Sequence, residues 1–119
     1  MNRLTALSLF LSTLVGSNIS QAKEKIKFNR DIRPLLSDNC FACHGPDEHE
    51  RKAKLRLDIG EGGGFKDLDG FQAIVPNDPS NSEIIARMIS DDEDEIMPPP
   101  ETGKKLNKEQ IELIKQWIN

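Results

Sequence analysis

The chain has 119 residues, 16 of them basic and 20 acidic, for a formal net charge of −4. Such a length holds one domain with a limited core, and five Phe, one Trp and no Tyr leave the polypeptide weakly equipped to fold on its own side chains. The acidic balance argues against nucleic-acid binding and mildly favours a partner with a basic docking face.

Residues 1–22 read as a secretory signal. Met1-Asn2-Arg3 is a short cationic start, Leu4 to Val15 is an apolar stretch broken only by Ser and Thr, and Ser20-Gln21-Ala22 is a small-x-small cleavage site. The apolar run is short for a bilayer span, so residues 23–119 are expected as an exported domain, periplasmic or otherwise extracytoplasmic, with no stable membrane span after cleavage; a retained anchor is the alternative.

A helix is expected from a cap at Asn29 or Asp31 to about Asn39, with Pro34 in its first turn and Ile32, Leu35 and Leu36 on one face. Phe28 is either a staple beside it or core. The helix delivers Cys40-Phe41-Ala42-Cys43-His44, the C-x-x-C-H attachment signature of a c-type haem. Two thiols three positions apart can form thioether bonds to the vinyl groups on one porphyrin edge, and the adjacent imidazole can turn onto the iron as proximal ligand. One covalent haem c per chain is expected. Three alternatives remain: a zinc site of Cys40, Cys43, His44 and His49, against which stands the adjacency of Cys43 and His44; a thioredoxin-like dithiol, for which no βαβ context is found; and a small-loop disulfide.

Gly45-Pro46 forms a rigid corner, and a carbonyl in this neighbourhood is expected to accept the Nδ1 hydrogen of His44. His49, between Glu48 and Glu50, reads as exposed. The cations Arg51, Lys52, Lys54 and Arg56 form a solvated face or supply a partner for a haem propionate. Leu55 and Leu57 alternate with Arg56 as a short extended piece, and Asp58 begins a turn. Gly60 to Gly64 lacks the ending of a phosphate loop and is expected as a surface turn. Phe65, Leu68, Phe71, Ile74 and Val75 are expected to line part of the haem pocket.

The next helix starts near Asp78 or Ser80, with Ile84, Ile85, Met88 and Ile89 on its buried face, and the acidic run Ser90 to Glu95 ends it. Met88 reads as core filler. Met97-Pro98-Pro99-Pro100 holds a methionine on backbone that cannot collapse into helix, which suits a soft thioether reaching the distal face of the iron. Gly103 permits a turn, and Asn107 with Gln110 forms a capping box for a last helix, Lys108 to Ile118, expected to cross the first near its start.

Phe28-Asn29-Arg30-Asp31-Ile32-Arg33-Pro34, the haem motif with Gly45-Pro46-Asp47, Leu55-Arg56-Leu57-Asp58 and Met97-Pro98-Pro99-Pro100 together resemble the planctomycete-type cytochrome c domain. The resemblance implies an all-α, class I cytochrome c-like single domain with long loops and little or no sheet, exported and His/Met-ligated. It implies Cys40 and Cys43 as thioether residues, and His44 and Met97 as iron ligands. Such domains commonly open longer multidomain proteins, so the chain is either a free-standing carrier or a piece that serves further domains.

The expected function is one-electron transfer between redox partner proteins, without catalysis of its own. The alternative is a haem-based module for small-ligand binding or sensing, or a docking domain of a larger protein. A peroxidase ranks below both, since no distal His-Arg pair can be placed.

Overall fold

Phe28 opens the helical run that ends at the first cysteine. The structure, a computed structural model, describes residues 23–119; the expected signal over residues 1–22 lies outside the described residues. The run begins as a wide π-type turn, Phe28–Ile32, and continues as helix α1, Arg33–Asn39. Neither Asn29 nor Asp31 is its cap: Lys27 stands there in extended conformation, and Asp31 reaches back from inside the turn to accept the Lys27 N–H at 2.7 Å. The Arg33 N–H bonds to the Phe28 carbonyl. That wide turn sets Pro34 at the start of the α-helical hydrogen bonding, where a missing N–H costs least.

Ile32, Leu36 and Ile114 are the most deeply buried apolar side chains, each contributing about 1.5–3 kcal/mol by leaving water. They join α1 to the last helix, α4, Lys108–Ile118. Its capping box forms as expected, with the Asn107 side chain accepting the Gln110 N–H at 2.8 Å and the Gln110 side chain accepting the Asn107 N–H at 2.9 Å. Phe28 packs on Trp117 with ring centroids 5.2 Å apart, so the two helices meet near the start of the first. Asn77 N–H on the Ile118 carbonyl, 2.8 Å, ties the far end of α4 to the middle of the chain.

Between them lie a four-residue helix α2, Phe41–His44, a two-stranded hairpin and helix α3, Glu83–Met88. The hairpin, β1 Asp67–Leu68 with β2 Phe71–Gln72, pairs Asp67 with Gln72 and Leu68 with Phe71 in antiparallel register. The fold is predominantly helical with little sheet. Asp78 caps a 3₁₀ turn, Pro79–Asn81, and α3 starts only at Glu83. Its start is later than expected because Ser82 is buried and bonded sideways, accepting the Val75 N–H at 2.9 Å and donating to the Asp78 carbonyl at 2.8 Å. Ile89 stands just beyond the helix and is 56% exposed, so the buried face of α3 ends at Met88.

The Gly60–Gly64 segment is not a surface turn throughout. Gly63 and Gly64 are buried, and a Cβ on Gly63 would stand 2.7 Å from the Arg56 carbonyl oxygen and 2.6 Å from Ile59. Chain packs on chain here with no room for a side chain.

Asp31 also links the fold to pH. Its carboxylate accepts from the Arg30 guanidinium at 2.7 and 2.8 Å and, secondarily, from the Lys27 N–H, which together lower its pKa from 3.8 to about 2. A carboxyl depressed in the folded state adds stability above its unfolded pKa and loses it as pH falls through the folded value. Denaturant unfolding curves of the haem-loaded protein are therefore expected to show stability falling between pH about 4 and about 2. Asp31→Asn is expected to flatten that part of the profile, and an unchanged profile would count against the ion pair.

Candidate functional site

Helix α1 ends on Cys40, whose N–H still bonds to the Leu36 carbonyl at 2.8 Å while its own carbonyl accepts the N–H groups of Cys43 at 3.1 Å and His44 at 2.7 Å. The chain thus stops one helix and starts the next on the same residue, placing two thiols and an imidazole within five positions. Gly45 follows by necessity: a Cβ there would lie 2.2 Å from the Phe41 carbonyl oxygen. Arg33 lies over the Phe41 ring, 5.7 Å from its centroid, fastening α2 against α1.

The acceptor for His44 is not at Gly45 or Pro46. Their carbonyls take the Arg51 guanidinium, both at 3.0 Å, and His44 Nδ1 meets the Lys52 carbonyl at 3.2 Å. A carbonyl only accepts, so Nδ1 carries the proton and Nε2 keeps its lone pair free for a metal. Three further bonds hold this placement: Lys52 N–H to the Cys43 carbonyl at 2.7 Å, Leu57 N–H to the His44 carbonyl at 2.8 Å, and Leu55 N–H to the Lys52 carbonyl at 3.1 Å. The last spans a turn in which Ala53 and Lys54 both take left-handed φ, 53° and 54°, a conformation of about 1–2 kcal/mol per non-glycine residue. Sequence reasoning had no signal for this carbonyl, because the loop that returns it is closed by contacts between residues many positions apart.

Burial lowers the His44 pKa below its usual value, outweighing the Lys52 hydrogen bond. Burial likewise pushes the Cys40 thiol up to about 11, against the weaker pull of Lys104. Both shifts favour the uncharged form. Cys40 and Cys43 are free thiols.

Cys40, Cys43, His44 and Met97 all line one cavity of about 490 Å³. Its walls are mostly apolar, drawn from Leu55, Leu57, Ala73 and Ile84, with Phe71 and Met88 also facing it. Phe65, Leu68, Ile74 and Val75 do not line it; Ile74 is turned into the core, its N–H on the Gly64 carbonyl at 2.9 Å. His49 is exposed, and among the described residues no three His, Cys, Asp or Glu side chains gather as a metal-holding group, so the zinc set does not assemble. Of the four cations after the motif, Arg51 serves the loop, Arg56 pairs with Asp58 at 2.5 Å, Lys52 borders the cavity and Lys54 is exposed; Lys104 also borders the cavity, its Nζ donating to the Asp38 carbonyl.

Met97 is presented by a short route. Its N–H bonds to the carbonyl of Arg87 near the end of α3, 3.0 Å, and the Met97–Pro98 peptide is cis. Pro98 is buried, and a 3₁₀ turn, Pro100–Thr102, closes on Gly103 at φ 69°. No described helix is long and apolar enough to cross a membrane.

The cavity fits a haem by size and by donor chemistry. Its volume lies in the range of small-molecule and cofactor sites, far above what one ion fills; an imidazole nitrogen and a thioether sulfur are donors that c-type haem iron uses, and paired thiols are what its covalent attachment uses.

No curated protein and no solved structure matches the chain. The family described as Planctomycete cytochrome C matches residues 40–101. That span runs from the first cysteine through the prolines after Met97, and the chain belongs to that family.

Proposed function

We propose that the protein is a one-electron carrier in which Cys40 and Cys43 hold a haem c through thioether bonds while His44 and Met97 are its axial ligands. The reading rests on the convergence of those four side chains on a single apolar-walled cavity, together with family membership. Bound there, the haem supplies a ferric/ferrous couple.

His44 serves through Nε2 because the Lys52 carbonyl holds the proton on Nδ1, a bond that also fixes the ring and strengthens its donation. The Met97 thioether favours the ferrous state, and the apolar walls disfavour the extra charge of the ferric state, so both raise the potential. One electron enters from a reduced redox protein and leaves to an oxidised one, with no bond made or broken. Lys52 and Lys104 border the cavity; the Lys104 ammonium donates to the Asp38 carbonyl, which leaves Lys52 as the cation suited to a haem carboxylate. Export through the segment before residue 23 and a basic docking partner belong to the same proposal.

Absorption spectra of protein matured in an export-competent, haem-ligating host test it. The expected result is haem that resists acid-organic extraction, a low-spin reduced spectrum, and a weak far-red band of methionine-to-ferric-iron ligation that disappears in Met97→Ala. A colourless protein overturns the proposal. Firmly bound haem with a high-spin, open iron retains the cofactor and moves the function to small-ligand binding.

A further inference from the structure

Five consecutive carboxylates, Asp91 to Glu95, lead into the residue that carries the distal thioether. All five are exposed, and like charges so closely spaced repel one another and open the loop that holds them. Arg87, in the last turn of α3, opposes this. Its Nε donates to Glu83 Oε1 at 2.9 Å, which fixes the guanidinium along the helix. Its Nη1 reaches across the loop to Glu95 Oε2 at 3.0 Å and to the Glu95 carbonyl at 3.4 Å. The backbone of the same residue accepts the Met97 N–H at 3.0 Å.

The loop from Ile89 to Ile96 is therefore shut at its base by one residue acting twice. Its inner turn is closed by Asp92, whose carbonyl accepts the N–H groups of Glu95 at 3.0 Å and Ile96 at 2.9 Å. Arg87 itself borders the cavity alongside Met97.

We infer that Arg87 is a positioning residue for Met97: its guanidinium clamps Glu95 so that the thioether stays at the iron rather than swinging out with the loop. The inference rests on the proposed His44/Met97 ligation. A side chain that only stabilised the fold would shift unfolding without changing how readily an outside ligand displaces the methionine. A clamp changes the displacement equilibrium itself, since a looser loop makes the methionine-free state easier to reach.

The test is titration of the ferric, haem-loaded protein with imidazole, followed by loss of the far-red methionine band, in wild type, Arg87→Gln, Arg87→Lys and Glu95→Gln. Removing the partly exposed ion pair to Glu95, along with the pair to Glu83 that orients it, is expected to tighten apparent imidazole binding about three- to tenfold in Arg87→Gln. Glu95→Gln is expected to shift in the same direction and Arg87→Lys by less. The double variant Arg87→Gln/Glu95→Gln should be no weaker a clamp than either single, as groups in one interaction are not additive. Wild-type protein without the methionine band would overturn the ligation reading itself. A wild-type band with imidazole affinity unchanged in both Arg87→Gln and Glu95→Gln would overturn the clamp alone, and because Glu95→Gln leaves the Arg87–Glu83 pair in place, the test survives if Arg87→Gln does not fold.

Discussion

Chain prepared without haem is expected to show no cooperative thermal transition, whereas the haem-loaded protein melts as one unit. The reason is volume. A cavity of about 490 Å³ bordered by Leu55, Leu57, Ala73, Ile84 and Met88 is large for so small a domain. The cavity opens to solvent, so without haem its apolar wall is wetted, at about 25 cal/mol for each Å², against a whole stability of about 5–15 kcal/mol typical of a domain. The remaining core, centred on Ile32, Leu36 and Ile114, is expected to be too small to hold the rest in place. Calorimetry and near-UV dichroism of both forms check this; a sharp, reversible melt of the haem-free chain would show that the polypeptide core suffices.

Gly63→Ala is expected to destabilise the loaded protein by about 1–3 kcal/mol, read as a lower denaturant midpoint at unchanged slope. The added Cβ would meet the Arg56 carbonyl oxygen at 2.7 Å and the Ile59 side chain at 2.6 Å. Neither neighbour yields freely. Arg56 precedes Leu57, whose N–H rests on the His44 carbonyl and whose side chain lines the cavity; moving the glycine instead strains the bond from Ile74 N–H to the Gly64 carbonyl. A loss below about 0.5 kcal/mol, the scale of ordinary surface changes, would show that the segment relaxes without cost.

Elements specified by residues near one another were legible in the sequence. The α4 cap is an exchange between Asn107 and Gln110, three positions apart, and Cys40 ends α1 where the apolar periodicity of Ile32 and Leu36 stops. What failed was set at longer range. The composition of Gly60–Gly64 speaks of freedom, while the burial of Gly63 comes from its approach to Arg56. Periodicity carried the buried face of α3 on to Ile89, but the helix stops at Met88 and that side chain turns to solvent. In the site, the motif named Cys40, Cys43 and His44 and the proline segment named Met97; the Lys52 carbonyl and the Arg87 guanidinium were hidden because each acts through a loop whose closure no local pattern encodes. Phe65, Leu68, Ile74 and Val75 were assigned to the cavity on hydrophobicity alone, which does not say which of two apolar environments a side chain enters.

The loop from Gly45 to Arg51 is closed at its neck, by Arg51 on the Gly45 and Pro46 carbonyls and by Lys52 N–H on the Cys43 carbonyl, while Asp47, Glu48, His49 and Glu50 at its tip are exposed. The neck, with the bonds from Leu55 and Leu57 beyond it, sets the register at which Lys52 meets His44. The tip is accordingly a permissive site, where added residues, a fluorophore or a tether to an electrode surface can be accommodated while the imidazole keeps its orientation.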